Sequence, residues 1–405
     1  MPNILGINLS PDKPVEARKK IVNWLESKGS KFIVTPNPEI ILASHQDEEF
    51  FYILNKADLS LPDGIGLKIA AKIFGTNLAR ITGADTTNFL LGLANEKKYK
   101  VLILNWQGGL SSANQITQAL HDKFPGLKAL ILDVDRDTKL SSENIKKIND
   151  FSPTLLFCTL GFPYQEKLIY HNLSALPTVK VAIGVGGTFD FLSGQAKRAP
   201  LFLRYLGLEW FWRLLIQPQR YKRIFQATFI FLFKVLKAKF INRFRYRPNV
   251  VCFLYKNTDL GPQVLIVERE DDSNHWQLPQ GGTDNENIIM AGKRELREET
   301  GVVSIEEKAI FKNVHRYKFL GKLAKKSYRI NDTYESKKYK YDYCGQKQSL
   351  FIAKFIGSDE EIKINFWDHT AWKWVPAENL VSSVHPVRQA GAQKFLNKFL
   401  ALQNK

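Results

Sequence analysis

Short apolar runs alternate with amphipathic stretches through the first half of this chain. Runs at residues 4–8, 31–35, 100–105, 129–133, 154–159 and 179–185 are rich in Ile, Leu and Val, as strands covered on both faces are. Between them, residues 15–27 and 114–123 carry apolar side chains at helical spacing. Strand–helix alternation with short turns predicts an α/β fold: a Rossmann-like, mostly parallel sheet with helices on both sides. Ligands of such sheets bind beyond the carboxyl ends of the strands. After Pro200 the pattern shifts to Leu, Trp, Phe and Arg and predicts two or three helices. The most apolar piece, 227–233, is followed by Lys234, Lys237 and Lys239; it is too short and too charged to span a bilayer, but suits one that lies on it. Residues 243–248 read as a boundary. Beyond it, 250–255 and 264–268 look like a hairpin, and the Lys- and Tyr-rich stretch 316–343 reads as a solvated loop or irregular hairpin. Three segments follow: an α/β core at 1–199, a basic helical appendage at 200–245, and a second domain at 246–405.

A length of 405 residues supports two or three domains. A hydrophobic content of 44% and a charged content of 24% are those of a folded, water-soluble chain. Cys158, Cys252 and Cys344 offer neither a disulfide framework nor zinc-ligand spacing, so a reducing cytosol is expected. Met1-Pro2-Asn3-Ile4-Leu5 lacks a basic leader and a long apolar core, so no signal peptide is expected. The net charge of +18 is concentrated: residues 196–247 hold 13 basic residues against a single acid, Glu209. A basic stripe interleaved with aromatics suits an anionic membrane surface at least as well as nucleic acid.

Polar clusters fall where predicted strands end. These are Thr35-Pro36-Asn37-Pro38-Glu39; Pro62-Asp63-Gly64-Ile65-Gly66; Gly161-Phe162-Pro163-Tyr164-Gln165-Glu166; and Gly184-Val185-Gly186-Gly187-Thr188-Phe189-Asp190. Arg80 precedes Gly83-Ala84-Asp85, and Arg198-Ala199-Pro200 leads to Glu209, Arg213 and Arg220. Gly-rich turns let backbone N–H groups approach phosphate. An Asp on a tight turn beside them can act as a general base, and arginines can balance a departing diphosphate. Singly, each Gly reads as turn punctuation and each Asp as a helix cap. Their joint order points to a site.

In that order, residues 3–245 resemble the TagA/WecG/CpsF glycosyltransferase family of bacterial cell-surface polymer synthesis, above all at 161–166 and 198–223. The resemblance implies inverting, metal-independent transfer of N-acetylmannosamine or a related sugar from a UDP-sugar donor. The acceptor it implies is N-acetylglucosamine on an undecaprenyl diphosphate carrier. It assigns Asp63 as the base on the acceptor hydroxyl. Thr35, Asn37, Arg80 and Gln165 become pocket residues, and Arg213, Arg220 and Arg223 meet the diphosphate. It also implies that the appendage helps build the site and rests on the inner face of the cell membrane. The alternatives stay open: Asp63 as a turn residue, the three arginines as a solvent- or lipid-facing stripe, and Trp210 and Trp212 as packing or interfacial anchors.

Further on, Gly281-Gly282 precedes Arg294-Glu295-Leu296-Arg297-Glu298-Glu299-Thr300-Gly301-Val302. Glu295, Glu298 and Glu299 share one face of a helix. Three carboxylates so close repel unless a divalent cation lies among them, and hard oxygen ligands suit Mg²⁺ or Mn²⁺ together with a substrate's phosphates. The run resembles the Nudix box. With Trp276-Gln277-Leu278-Pro279-Gln280, Gly345-Gln346-Lys347-Gln348, Trp372-Lys373-Trp374-Val375 and Pro386-Val387-Arg388-Gln389, residues 246–400 resemble bacterial RNA pyrophosphohydrolases, whose relatives also cleave dinucleoside polyphosphates. The resemblance implies an α/β/α domain with a mixed sheet and Mg²⁺-assisted attack of water on phosphorus. It assigns Glu295, Glu298 and Glu299 as metal ligands, Glu298 also as catalytic, and Asp368 as a further ligand or base. Arg269, Gln346 and Lys347 are assigned as phosphate contacts. Only Thr283, Asp284 and Asn285 separate Gly282 from Glu286, which leaves the box loop two residues short and its geometry altered. Gly292 and Lys293 also stand where the box usually has apolar or helix-favouring residues.

The expected protein is a bifunctional fusion, cytoplasmic and peripherally attached to the membrane, transferring a sugar and hydrolysing a nucleoside-diphosphate-linked compound. One rival is an RNA 5′-end or dinucleoside polyphosphate hydrolase with a scaffold front domain. Another is a rear module that only senses a nucleotide. The sequence is also compatible with a homo-oligomer.

Overall fold

The computed structural model describes residues 1–319 and 343–404. The chain divides into two compact units, Met1–Lys239 and Phe240–Lys405.

The front unit is built on a six-stranded, all-parallel sheet. Its spatial order is Leu59–Ser60, Lys31–Val34, Val181–Gly184, Leu155–Cys158, Val101–Trp106 and Ala129–Val134. Alternate side chains of each strand enter opposite cores. Leu102, Leu104, Leu156 and Ala182 join the helices Pro38–Ser44, Glu48–Lys56 and Ile65–Ile73 on one face. Ile103, Leu155, Phe157 and Ile183 join Pro14–Leu25, Gly83–Lys97 and Ala113–Lys123 on the other. With both faces covered, the strands read as continuous apolar runs, which is why five of the predicted runs coincide with sheet strands.

The run at 4–8 is a correction. It does not enter the sheet: Asn3–Ile4 and Ile7–Asn8 pair with each other as a two-residue ribbon. Leu5 (φ 51) and Gly6 (φ 91) turn the chain back, and the Asn3 carboxamide accepts the Gly6 N–H at 2.8 Å. A side chain that satisfies local backbone competes with a sheet ladder.

The helical segment after Pro200 comprises Leu201–Leu206, Glu209–Ile216, Tyr221–Phe225, a π-turn at Gln226–Ile230, and Phe231–Phe240. Phe231, Val235 and Ala238 recur on one face of the last helix and are buried in the front core. Phe202, Tyr205, Leu206, Leu215, Phe229 and Phe233 are each more than half exposed. No helix among the described residues is long and apolar enough to cross a membrane.

The rear unit holds a mixed sheet. Tyr246–Thr258 turns into Gly261–Arg269 as the predicted hairpin, runs parallel to Gly345–Phe355, and receives Gln280–Gly282. Ile305–Lys318 closes one edge against Gly345–Phe355, and His369–Pro376 pairs with Gly261–Arg269. The helices Ile288–Thr300 and Pro386–Gln403 cover opposite faces. Of the stretch expected from 316 as a loop or irregular hairpin, residues 316–318 end the strand Ile305–Lys318 and pair antiparallel with residues 345–347. Residues 320–342 lie outside the described residues.

Candidate active sites

The front crevice forms at the carboxyl ends of four strands. Asp63 follows Leu59–Ser60, and its backbone N–H donates to Pro36 O at 2.8 Å, which fixes the turn. Its Oδ2 accepts the Gly83 N–H at 3.1 Å. Gly83 opens the helix Gly83–Lys97, so the half-buried carboxylate is aimed from a helix N-terminus, where N–H groups point outward. Thr35, buried at the end of Lys31–Val34, donates to Gly184 O at 3.3 Å and lies beside Gly83. Gln165 Oε1 accepts the Gly186 N–H at 2.9 Å. Its amide packs so tightly on Gly184 that a Cβ there would fall 2.6 Å from Nε2. Thr35, Asp63 and Gln165 thus gather around two glycine turns. Asn37 sits among them with its Oδ1 committed to capping the helix Pro38–Ser44 through Ile40 N, at 3.0 Å.

Arg80, Arg198 and Arg223 are tied to acids. Arg80 pairs with Glu209 and donates to Arg204 O at 2.7 Å, joining the core to the appendage. Arg198 holds Asp85 at 2.8 Å. The Asp85 carboxyl is half-buried, which raises its pKa, but Thr82 and Arg198 outweigh burial and hold it below the usual range. Arg223 pairs with Glu39, two residues past Asn37. Arg213 lies on the helix Glu209–Ile216, and Arg220 ends the turn Pro218–Arg220.

Sequence reasoning placed Gly83, Gly186 and Glu166 in its clusters without their contacts to Asp63 and Gln165, and missed Arg136. The Arg136 guanidinium lies 3.5 Å from the Trp106 ring centroid, and its Nε donates to Leu160 O at 2.9 Å, bracing the Gly161 turn. Periodicity carries no sign of these contacts, which join segments far apart in sequence.

In the rear unit, Asn287 caps the helix Ile288–Thr300 by accepting Met290 N at 2.9 Å, and Gly301 ends it in the left-handed region. Glu295 and Glu298 converge on one nitrogen: Arg294 Nη1 donates to Glu295 Oε1 at 2.7 Å and to Glu298 Oε2 at 3.0 Å. Arg294 also donates through Nε to Glu286 Oε2 at 2.9 Å and through Nη2 to Gly282 O at 2.7 Å. The shortened loop therefore still delivers Glu286 to Arg294. Asp284 (φ 44) and Asn285 (φ 70) make the tight left-handed turn that does so. Gly281 makes room for Glu295: a Cβ there would fall 1.9 Å from the Glu295 carboxyl, which would have to move. Gly292 lets the helix lie on Phe351, 2.5 Å from where a Cβ would sit.

Glu299 is buried, its Oε2 accepting Gln280 N at 3.0 Å with His369 Nε2 at 3.2 Å. Burial raises its pKa, opposed by His369 and Gln280 and reinforced by Asp368. Glu295 and Glu299 both act on Cys252, whose thiol burial already pushes well up. Glu295 and Glu299 are thus buried, Glu298 shares Arg294 with Glu295, and Asp368 acts on Glu299; among the described residues the group whose ligand atoms all lie within 4.8 Å of one another is a different one, Asp272, His275 and His385. His369 was not foreseen, and Gln280 was quoted in a motif without its contact to Glu299.

Gln280 links this cluster to a cleft under Pro386–Gln403, lined by Gln348, His315, Tyr317, Arg388 and Phe395. Gln348 Nε2 donates to Gln280 Oε1 at 2.7 Å. Arg388 donates to Tyr317 Oη at 3.0 Å and to His275 Nε2 at 3.3 Å. His275 is buried, and its pKa is pushed down to about 4 by desolvation and neighbouring cations, against the opposing pull of Asp272. Gln346 accepts from Tyr317 Oη at 2.6 Å, the exposed Lys347 is its strand neighbour, and Arg269 makes a two-pronged pair with Asp271 at 2.7 and 2.6 Å.

Residues 2–245 match the glycosyl transferase WecG/TagA/CpsF family, and residues 245–399 match the NUDIX domain. An N-acetylglucosaminyldiphosphoundecaprenol N-acetyl-beta-D-mannosaminyltransferase of Bacillus subtilis is 35% identical over 205 residues, covering 50% of this chain and 78% of the relative. The Staphylococcus aureus protein of the same name is 30% identical over 244 residues, 58% of this chain and 92% of its own length. Among solved structures, a C. elegans Ap4A hydrolase binary complex aligns with 38% of this chain and 98% of its own at 16% identity and a TM-score of 0.28. This chain therefore belongs to the glycosyl transferase WecG/TagA/CpsF family and carries a NUDIX domain in its rear unit, so that a transferase and a hydrolase share one polypeptide.

Proposed function

We propose that the front crevice transfers N-acetylmannosamine or a related sugar from a UDP-sugar to N-acetylglucosamine on a polyprenyl diphosphate, with inversion. The observation that carries this is Asp63, held at the rim by the Gly83 N–H beside Thr35 and Gln165. Asp63 takes the proton of the acceptor hydroxyl as its oxygen bonds to the anomeric carbon and the bond to the diphosphate breaks. Thr35, Asn37 and Gln165 position the sugar. Arg80 lines the pocket with them, and Arg213, Arg220 and Arg223 receive the departing charge. The relatives' shared name supports the acceptor and the sugar.

In the rear unit, Glu295, Glu298, Glu299 and Asp368 would hold Mg²⁺ or Mn²⁺, which supplies charge neutralisation at phosphoryl oxygens and a bound water of lowered pKa. Arg294 orients Glu295 and Glu298, and Gln280 and His369 orient Glu299. Amide side chains, Tyr317 and Arg388 line a cleft that suits the base and phosphate of a nucleotide. This supports hydrolysis of a nucleoside-diphosphate-linked substrate, and an RNA 5′ end or a dinucleoside polyphosphate offers the same chemistry.

The test measures both reactions on one preparation, with UDP-sugars, a short-chain lipid diphosphate acceptor, triphosphorylated RNA and dinucleoside polyphosphates. Asp63→Ala should lower transfer by roughly 10³-fold and leave hydrolysis intact. Glu298→Gln should do the reverse. Transfer that survives Asp63→Ala removes the base from this scheme.

A further inference from the structure

Glu166 is a carboxylate with almost no surface. It is 1% exposed, sits one residue past Gln165 in the helix Tyr164–Asn172, and faces the buried Cys158. Its Oε1 accepts from Gln165 Nε2 at 2.7 Å, while its Oε2 is buried with no hydrogen-bond partner among the described residues. Burying a carboxyl this incompletely satisfied is costly, and nothing in its packing requires an acid. Its one side-chain contact of consequence is the amide of a crevice residue.

That amide is held at both ends. Gly186 N–H donates to Oε1, Glu166 accepts from Nε2, and the amide lies in the space that the missing Cβ of Gly184 leaves open. A flipped amide would set NH₂ against the Gly186 N–H and oxygen against the Glu166 carboxyl, losing both bonds. Only one N–H and one lone pair of Gln165 remain for a ligand, and their directions are fixed.

Resting on the reading of this crevice as a sugar-transfer site, we infer that Glu166 is a positioning residue: it sets the direction of the Gln165 N–H that meets the donor sugar. It touches no substrate itself and acts through Gln165 alone.

A double-mutant cycle on the full chain tests this, with UDP-N-acetylmannosamine and a short-chain lipid diphosphate acceptor. Glu166→Met keeps the volume and removes the acceptor; Glu166→Gln keeps an acceptor oxygen. Glu166→Met should lower kcat/KM for the donor about tenfold, with KM for the acceptor unchanged, and Glu166→Gln should stay within about threefold of wild type. In a Gln165→Ala background, Glu166→Met should add nothing. An equal loss in both backgrounds, or equal losses in Glu166→Met and Glu166→Gln, overturns the inference. If Gln165→Ala lowers transfer and Glu166→Met does not, the inference falls while the crevice reading stands. If Gln165→Ala itself transfers at the wild-type rate, the crevice reading falls and takes the inference with it. Should Glu166→Met fail to fold, the Gln165 side-chain amide signals of Glu166→Gln decide: a hydrogen-bonded shift retained supports the role, and its loss at full activity ends it.

Discussion

Burial has set two carboxyls of this chain on opposite tasks. Glu299 is held among Gln280 N–H, His369 and Asp368, where a cation is the natural partner of its charged form. Glu166 has only Gln165 and its own backbone N–H to favour ionisation, and burial outweighs them, raising its pKa from 4.5 to about 7. A carboxyl whose folded-state pKa is raised stabilises the fold fully below its unfolded pKa and loses that contribution as pH climbs through the folded value. The front unit should therefore weaken between pH 4.5 and about 7, by up to ~3 kcal/mol from this group. Glu166→Gln should melt higher than wild type at pH 8 and no higher at pH 4.5. A difference in melting temperature that does not change with pH refutes the assignment. Gly281 gives a steric counterpart. Gly281→Ala drives a methyl into the Glu295 carboxyl, so hydrolysis should fall by at least tenfold on the order of a misplaced catalytic group, with sugar transfer unchanged. Hydrolysis at the wild-type rate would mean that Glu295 is not held where the metal needs it.

Elements were legible where their logic is local. The glutamate helix could be read because i, i+3 and i+4 spacing, an Asn cap and a terminal Gly are all written within fifteen or so residues. The parallel strands could be read because a sheet covered on both faces needs unbroken apolar runs. What stayed hidden joins distant segments: Gly83 to Asp63, Gly186 to Gln165, Arg80 to Glu209, His369 to Glu299. The run at 4–8 misled because an Asn side chain, not a neighbouring strand, satisfies its turn. The helix Phe231–Phe240 belongs to both categories. Its periodic face, Phe231, Val235 and Ala238, packs inside the front core, while Phe233 and Leu236 remain exposed beside Lys234, Lys237 and Lys239. A helix anchored on one side with apolar and basic side chains on the other suits peripheral contact with anionic lipid. Replacing the three lysines by Gln should weaken binding to phosphatidylserine-containing vesicles roughly 100-fold, at about 1 kcal/mol per charge. Equal sedimentation with anionic and neutral vesicles would remove the membrane from the account.

At the scale of the whole molecule, the two candidate sites lie in units with separate cores. The front cores lie on the faces of a parallel sheet within Met1–Lys239; the rear cores flank a mixed sheet within Phe240–Lys405. Each unit closes its own hydrophobic core, so each should unfold as its own cooperative step. A ligand stabilises only the unit whose native state binds it. Mg²⁺ at about a hundredfold excess over its dissociation constant contributes ~2.7 kcal/mol, which for a unit of this size moves a melting temperature by roughly 5–10 °C. Scanning calorimetry should show two transitions. Mg²⁺ should raise one of them, UDP the other. With the proposed ligand role of Glu298, Glu298→Gln should abolish the Mg²⁺ shift and spare the UDP shift. Asp63→Ala should leave the Mg²⁺ shift untouched. The metal effect should also grow with pH, since Glu299 must give up its proton for the cation and its pKa stands above the ordinary value. A single transition raised by both ligands would show that the halves unfold as one body, and that the separation of their cores does not make them independent.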